Sequence, residues 1–200
     1  SDLVPPHQLD MLHAVLDFGT CRVILDPYAG CSAVRKGLRV PAHCRLVLND
    51  KLGHKTSHLQ YKPLESVLYT RVIAAFGRLD AVVVCPPAPL ADLVFVNALE
   101  YCSQVVCMLV SDNWLCEAYN YKSSPRGVLL SRLESASRVM YIREEVVGID
   151  NLYFNWVCAF ASQGCRSRMV KHRMADPEAE NHVSIFFDCS EHPRKGNMRG

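Results

Sequence analysis

Several signatures are missing from this chain, and each absence removes a class of protein. No G-x-G-x-x-G occurs, which argues against a dinucleotide-binding dehydrogenase. No G-K-[S/T] occurs, which excludes a P-loop nucleotidase. No C-x-x-C pair occurs among the ten cysteines, so their spacing frames neither a zinc site nor a disulfide scaffold. No apolar run is long enough to span a membrane, and no signal-peptide pattern opens the chain. Net charge is only +2, so bulk electrostatics announce no nucleic-acid partner. Internal repeats and low-complexity tracts are absent as well.

What is there suits a globular chain. Two hundred residues, 50% of them hydrophobic and 21% charged, can bury a core and are too apolar for disorder. The first residue is Ser rather than Met, as expected of a segment of a longer protein. Cys85, Cys107 and Cys158 sit inside apolar, strand-like runs, where cysteine behaves as a small hydrophobe. All ten thiols are therefore expected to be free, in an intracellular setting, nuclear or cytoplasmic. His54 and His58 have the i,i+4 spacing of a helical metal pair. No third ligand lies nearby in sequence, so a solvated helix face is the expectation, with no metal.

The chain is organised around Val23-Ile24-Leu25-Asp26-Pro27-Tyr28-Ala29-Gly30-Cys31-Ser32. An apolar strand runs into an acid and then a loop of small residues, through which backbone N–H groups can approach a ligand. The alternative is an ordinary strand-to-helix turn. Arg45 to Leu48 is a second strand, followed by Asn49 and Asp50. Asp50 reads either as a ribose-binding acid or as a helix N-cap. A helix is expected over Gln8–Phe18, a short one from Ser32 to Gly37, and others over Leu64–Phe76 and Leu90–Tyr101. Further strands are expected at His58–Tyr61, Asp80–Cys85, Gln104–Val110, Val139–Ile142 and Phe154–Phe160. The last two are joined by a short connection and so form an antiparallel hairpin. Glu117–Arg126 reads as a surface loop. The alternation predicts a doubly wound, Rossmann-like α/β fold with a mostly parallel seven-stranded sheet. The main domain is expected over 1–163. An extension over 164–200 carries a basic patch (Arg166, Arg168, Lys171, His172, Arg173), a possible edge strand at Val183–Phe187 and a tail.

Four motifs in this order resemble those of class I S-adenosylmethionine-dependent methyltransferases, of the type that methylates DNA at adenine N6 or cytosine N4. Asp26-Pro27-Tyr28-Ala29-Gly30-Cys31-Ser32 resembles their D-P-F-x-G-S-G loop. Asp50 matches their second acid, and Val4-Pro5-Pro6 their upstream T-P motif. Val84-Cys85-Pro86-Pro87-Ala88 falls where they carry [D/N/S]-P-P-[Y/F/W]. The resemblance covers roughly residues 4 to 160. It implies S-adenosylmethionine as cofactor, held by Pro5, Asp26, Pro27, Tyr28, Gly30, Cys31 and Asp50. It implies a catalytic segment at Cys85, Pro86, Pro87 and Ala88. It implies a nucleic-acid substrate, DNA ahead of RNA, whose target base is flipped out of a duplex.

This chain departs from that pattern in informative places. Cys85 replaces the polar acceptor of the P-P motif, and a thiol accepts poorly. Ala88 replaces the aromatic ring that stacks on the base. Ser32 replaces the last glycine of the loop. Lys62 stands where an acid often faces the cofactor's adenine, and Glu65 substitutes only in a shifted register. Tyr119, Tyr121 or Trp114 are the candidate stand-ins for the ring, and Tyr119, Tyr121, Lys122 and Arg126 for a strand-gripping cluster. Two readings follow: an amino-methyltransferase with a relaxed motif, or a catalytically degenerate domain serving as a nucleic-acid-binding or heterodimer subunit. A methyltransferase for a protein or small molecule is a third.

Overall fold

The computed structural model describes residues 9–30, 33–50, 58–62, 65–145 and 153–171. Six strands form where apolar residues run together: β1 (Val23–Asp26), β2 (Arg45–Leu48), β3 (Ala81–Val84), β4 (Val105–Ser111), β5 (Val139–Glu145) and β6 (Tyr153–Phe160). They make one sheet in the order β2-β1-β3-β4-β6-β5. The first four are parallel. β6 runs antiparallel to both β4 and β5. The chain moves from β1 outward to β2, then returns to place β3 on the other side of β1. That reversal leaves a crevice between the carboxyl ends of β1 and β3, where doubly wound sheets bind ligands.

Helices cover both faces. Val82 and Val84 point into a core shared with α3 (Ser66–Phe76), α4 (Ala91–Tyr101), α5 (Asp112–Asn120) and α6 (Pro125–Ser135). Ala81 and Val83 point the other way, into a core with α1 (Asp10–Val15), α2 (Ala33–Gly37) and α7 (Gln163–Met169). Burial on both faces is why these strands read as unbroken apolar runs rather than alternating ones. α3 ends as the sequence suggests, at Gly77, whose φ of 77° is left-handed and whose N–H caps Ile73 O at 2.7 Å.

Three expectations need correction. The sheet has six strands among the described residues, not seven. His58–Tyr61 contributes a single parallel bridge, Asn49 to Leu59, instead of a ladder. The edge of β2 is partly satisfied by a side chain: Leu48 N–H donates to His58 Nδ1 at 3.1 Å. Next, Glu117–Arg126 is not a loop throughout. α5 runs to Asn120, and Pro125 begins α6 under a Ser124 cap whose Oγ accepts Gly127 N–H at 3.0 Å. Gly127 lets these helices touch, since a Cβ there would lie 2.6 Å from Tyr121 O and 2.8 Å from Ala118 O. Last, the helix expected over Gln8–Phe18 is helical only over Asp10–Val15. Leu16 leaves it to bridge Val170.

The boundary expected at 163/164 falls inside α7. That helix buries Cys165 and Met169 in the sheet's core and is tied to the start of the chain by Asp17 N–H to Met169 O, 2.8 Å. The edge strand and tail expected beyond residue 171 lie outside the described residues, as do His54, His172 and Arg173.

Candidate functional site

β1 ends at Asp26, which is 1% exposed although it is a carboxylate. Pro27 then turns the chain, and Tyr28 N–H folds back to donate to Asp26 Oδ1 at 3.0 Å. Burial, with the charge of Asp50 adding to it, pushes the Asp26 carboxyl up to about 7, against the pull of that N–H. Gly30 follows with φ 43°, a left-handed turn that favours glycine. Tyr28 is half-buried against the α3–α6 core.

The second acid is brought alongside by strand pairing. Asp26 is in register with Leu48, the last residue of β2, and Asp50 lies just beyond it, almost buried. Its N–H donates to Leu59 O at 3.0 Å. Between the acids sits a residue that sequence reasoning missed. Asn49 is fully buried, and its N–H donates to Asp26 O at 2.9 Å. Its side chain holds Pro27 O at 3.0 Å, Tyr61 O at 2.9 Å and Tyr61 N–H at 2.8 Å. One amide thus fastens the loop after β1 to the segment beyond β2.

Cys85 follows β3, packed half-buried against the α1–α2–α7 core, and Pro86 and Pro87 leave the sheet there. Adjacency of β1 and β3 places this segment across the crevice from Asp26. Pro87 O accepts Leu90 N–H at 2.9 Å in the short 3-10 turn Ala88–Leu90, so Pro86 is the proline whose carbonyl that turn does not use. Ala88 is exposed and offers no ring. Pro5, Cys31 and Ser32 lie outside the described residues.

Of the suggested substitutes, Glu65, Tyr119, Trp114 and Arg126 are engaged elsewhere. Lys62 and Glu65 pair with each other at 3.2 Å on the surface. Tyr119 OH donates to Glu134 at 2.8 Å. Trp114 is buried edge-on to Phe95 and donates to Asp92 Oδ1 at 2.9 Å. Arg126 stacks over Trp114 at 4.5 Å and is held by Asp92 at 2.7 and 2.8 Å and by Glu117 at 3.0 Å. It is a tie among α4, α5 and α6 rather than a free grip for a strand. Tyr121 is exposed and lines a cavity of ≈ 350 Å³ in that helix layer, with Phe95, Val96 and Leu129. The basic residues Arg166 and Arg168 sit on α7, which begins at the opposite, amino edge of the sheet.

No family model matches the chain, and no curated protein matches it. Similar solved structures include a Streptococcus mutans protein described as a methyltransferase, in complex with SAH. It is 14% identical over 79% of this chain and 99% of its own, with a TM-score of 0.42. Another is the Streptomyces achromogenes O-methyltransferase TomG, of tomaymycin synthesis, in complex with SAM: 15% identity, 78% of each chain, TM-score 0.46. A third is a Bacillus cereus O-methyltransferase with SAH: 10% identity, 78% of each chain, TM-score 0.44. Likeness at this level leaves the family open, and the reading of the site rests on its own geometry.

Proposed function

We propose that this chain is an S-adenosylmethionine-dependent methyltransferase whose acceptor is the exocyclic amine of a nucleic-acid base, adenine N6 ahead of cytosine N4 and DNA ahead of RNA. The observation that carries the cofactor reading is the pair of buried carboxylates, Asp26 and Asp50, at the ends of adjacent parallel strands beside the switch point. The donor set fits the ligand. S-adenosylmethionine brings a sulfonium, an ammonium and two ribose hydroxyls, all of which an acceptor-only pair of acids welcomes. Asp26, whose pKa burial raises to about 7, ionises fully against an arriving cation. Asp50 accepts from the ribose hydroxyls, and the small residues Ala29 and Gly30 let the methionine portion approach the backbone.

Bound there, the cofactor supplies an electrophilic methyl group. The chain's share is positioning, which accounts for much of the rate of an in-line displacement. The Pro86 carbonyl accepts from the target amine and draws density toward its nitrogen. Cys85 helps little, because a thiol accepts weakly, and Ala88 stacks nothing. Base–aromatic stacking is worth ~1–3 kcal/mol, and one missing acceptor at a transition state costs a similar amount or more. Slow transfer is the expectation.

Cys85 and Ala88 together favour the second reading, a catalytically degenerate domain that binds nucleic acid or a partner subunit. The test is tritiated methyl transfer to DNA and RNA at saturating cofactor, with wild type beside the double variant Cys85→Asp, Ala88→Tyr. A slow wild type and a faster variant support the relaxed-motif enzyme. An inactive wild type rescued by the variant supports the degenerate subunit. Brisk turnover lost in the variant refutes this account of the P-P segment.

A further inference from the structure

Asp112, Arg143 and Asn155 form a polar cluster at the same carboxyl edge, outside the crevice. Asp112 opens α5 directly after β4. Arg143 and Asn155 are register partners across β5 and β6, so their side chains rise side by side on one face, with Cβ atoms about 5 Å apart. Asn155 Nδ2 donates to Asp112 Oδ1 at 2.5 Å, and Arg143 Nη2 to Asp112 Oδ2 at 3.3 Å. The guanidinium lies 3.9 Å over the Tyr153 ring. Asn155 is 0% exposed, and the Arg143 side chain 35%.

Two buried atoms of this cluster have no hydrogen-bond partner: Asn155 Oδ1, an acceptor, and Arg143 Nε, a donor. The amide orientation is fixed chemically, because only Nδ2 can donate to the Asp112 carboxylate. Unsatisfied buried polar atoms are uncommon in native proteins, and each calls for a cause. Here one acceptor and one donor stand on adjacent side chains. Their complement is an edge with a donor beside an acceptor, such as the amine and ring nitrogen of adenine or cytosine. An anion suits the cluster poorly, since Asp112 already holds the same guanidinium.

We propose that Asn155 and Arg143 read the amine-and-ring-nitrogen edge of a base next to the one methylated. Asn155 Oδ1 accepts from the amine, and Arg143 Nε donates to the ring nitrogen. This rests on the nucleic-acid reading above and adds a specificity site to it. β6 is two strands from β3, about 10 Å across the sheet, which places the cluster at a flanking nucleotide rather than at the target. Both atoms are closed to solvent, so the Arg143 side chain, 35% exposed, shifts to admit the base edge, and the Arg143–Tyr153 stack offers a plane for a base to extend.

The test compares binding of the full chain to short single strands of deoxyadenosine and of deoxynebularine, the same purine without the amine, by fluorescence anisotropy. Wild type is expected to prefer adenine about tenfold, the scale of one satisfied buried acceptor. Asn155→Leu should lose most of that preference, and Arg143→Met, whose Nε meets a ring nitrogen that both strands keep, should weaken binding of both strands alike, each variant keeping the circular dichroism of wild type. If Asn155→Leu fails to fold, Arg143→Met, at the more exposed position, decides. Equal binding of both strands by wild type overturns this proposal and leaves the nucleic-acid reading intact. Binding of neither strand removes both. A preference that persists in Asn155→Leu, or binding of both strands by Arg143→Met as tight as that of wild type, also overturns it.

Discussion

Asn49 Nδ2 donates to the carbonyl of Pro27 at 3.0 Å, across 22 residues of chain. With its two bonds to Tyr61, this fully buried amide sets the shape of the loop on which the cofactor reading depends. Asn49→Ala leaves Pro27 O, Tyr61 O and Tyr61 N–H without that partner. A loss of about 2–4 kcal/mol of stability is expected. Denaturant unfolding measures it. A loss under about 1 kcal/mol would show that the loop keeps its shape without the amide.

Asp26 makes stability depend on pH. Its folded pKa, about 7, lies above the ordinary 3.8, so the folded state keeps a proton that the unfolded chain releases. The contribution is fully present below the unfolded value and is lost as pH rises through about 7. Asp26→Asn removes this titration. The variant should lose less stability than wild type between about pH 5 and about pH 8, by an amount on the order of a few kcal/mol. Unfolding curves at both pH values check it. Equal slopes in the two proteins would mean that Asp26 is ionised throughout.

These two residues also show what was legible in the sequence. Asp26 and Asp50 stand out because each ends an apolar run, and β3 because a strand buried on both faces needs no alternation. Asn49 gave no signal, since its partners lie 12 and 22 positions away. In the sequence Asn155 reads only as part of a strand, and Arg143 as the start of the connection that follows one. Their pairing with Asp112 exists only once β4, β5 and β6 are side by side. α6 was hidden by Pro125 and Gly127, which look like turn residues. In fact the proline sits in the first turn and the glycine admits α5. His58–Tyr61 was overread as a strand, because apolar alternation over four residues cannot tell a ladder from a single bridge.

At the opposite edge, Asp80 is expected to matter for folding and not for ligand binding. Fully buried, it accepts from Arg22 N–H at 2.8 Å, Val23 N–H at 3.0 Å and Arg78 Nε at 2.7 Å, with Ser103 and Gln104 beside them. Burial alone would raise its pKa, but the Arg78 guanidinium and the two backbone N–H groups outweigh it and hold the carboxyl below 3.8. Its contribution is therefore present above that value and lost as pH falls through the lower folded one. Asp80→Ala should cost about 3–5 kcal/mol. Thermal unfolding and cofactor titration of the folded fraction check both halves. An altered cofactor affinity would contradict the separation of the two edges.

The central claim is that the crevice beside Asp26 and Asp50 binds S-adenosylmethionine, and calorimetric titration of wild type and Asp50→Ala tests it most directly. Wild type should bind one equivalent. Asp50→Ala, folded by circular dichroism, should bind roughly tenfold to a hundredfold more weakly, as loss of a charge-assisted hydrogen bond worth about 1.5–3 kcal/mol requires. A wild type that takes up no S-adenosylmethionine, or a variant that binds it with unchanged affinity, would contradict the account.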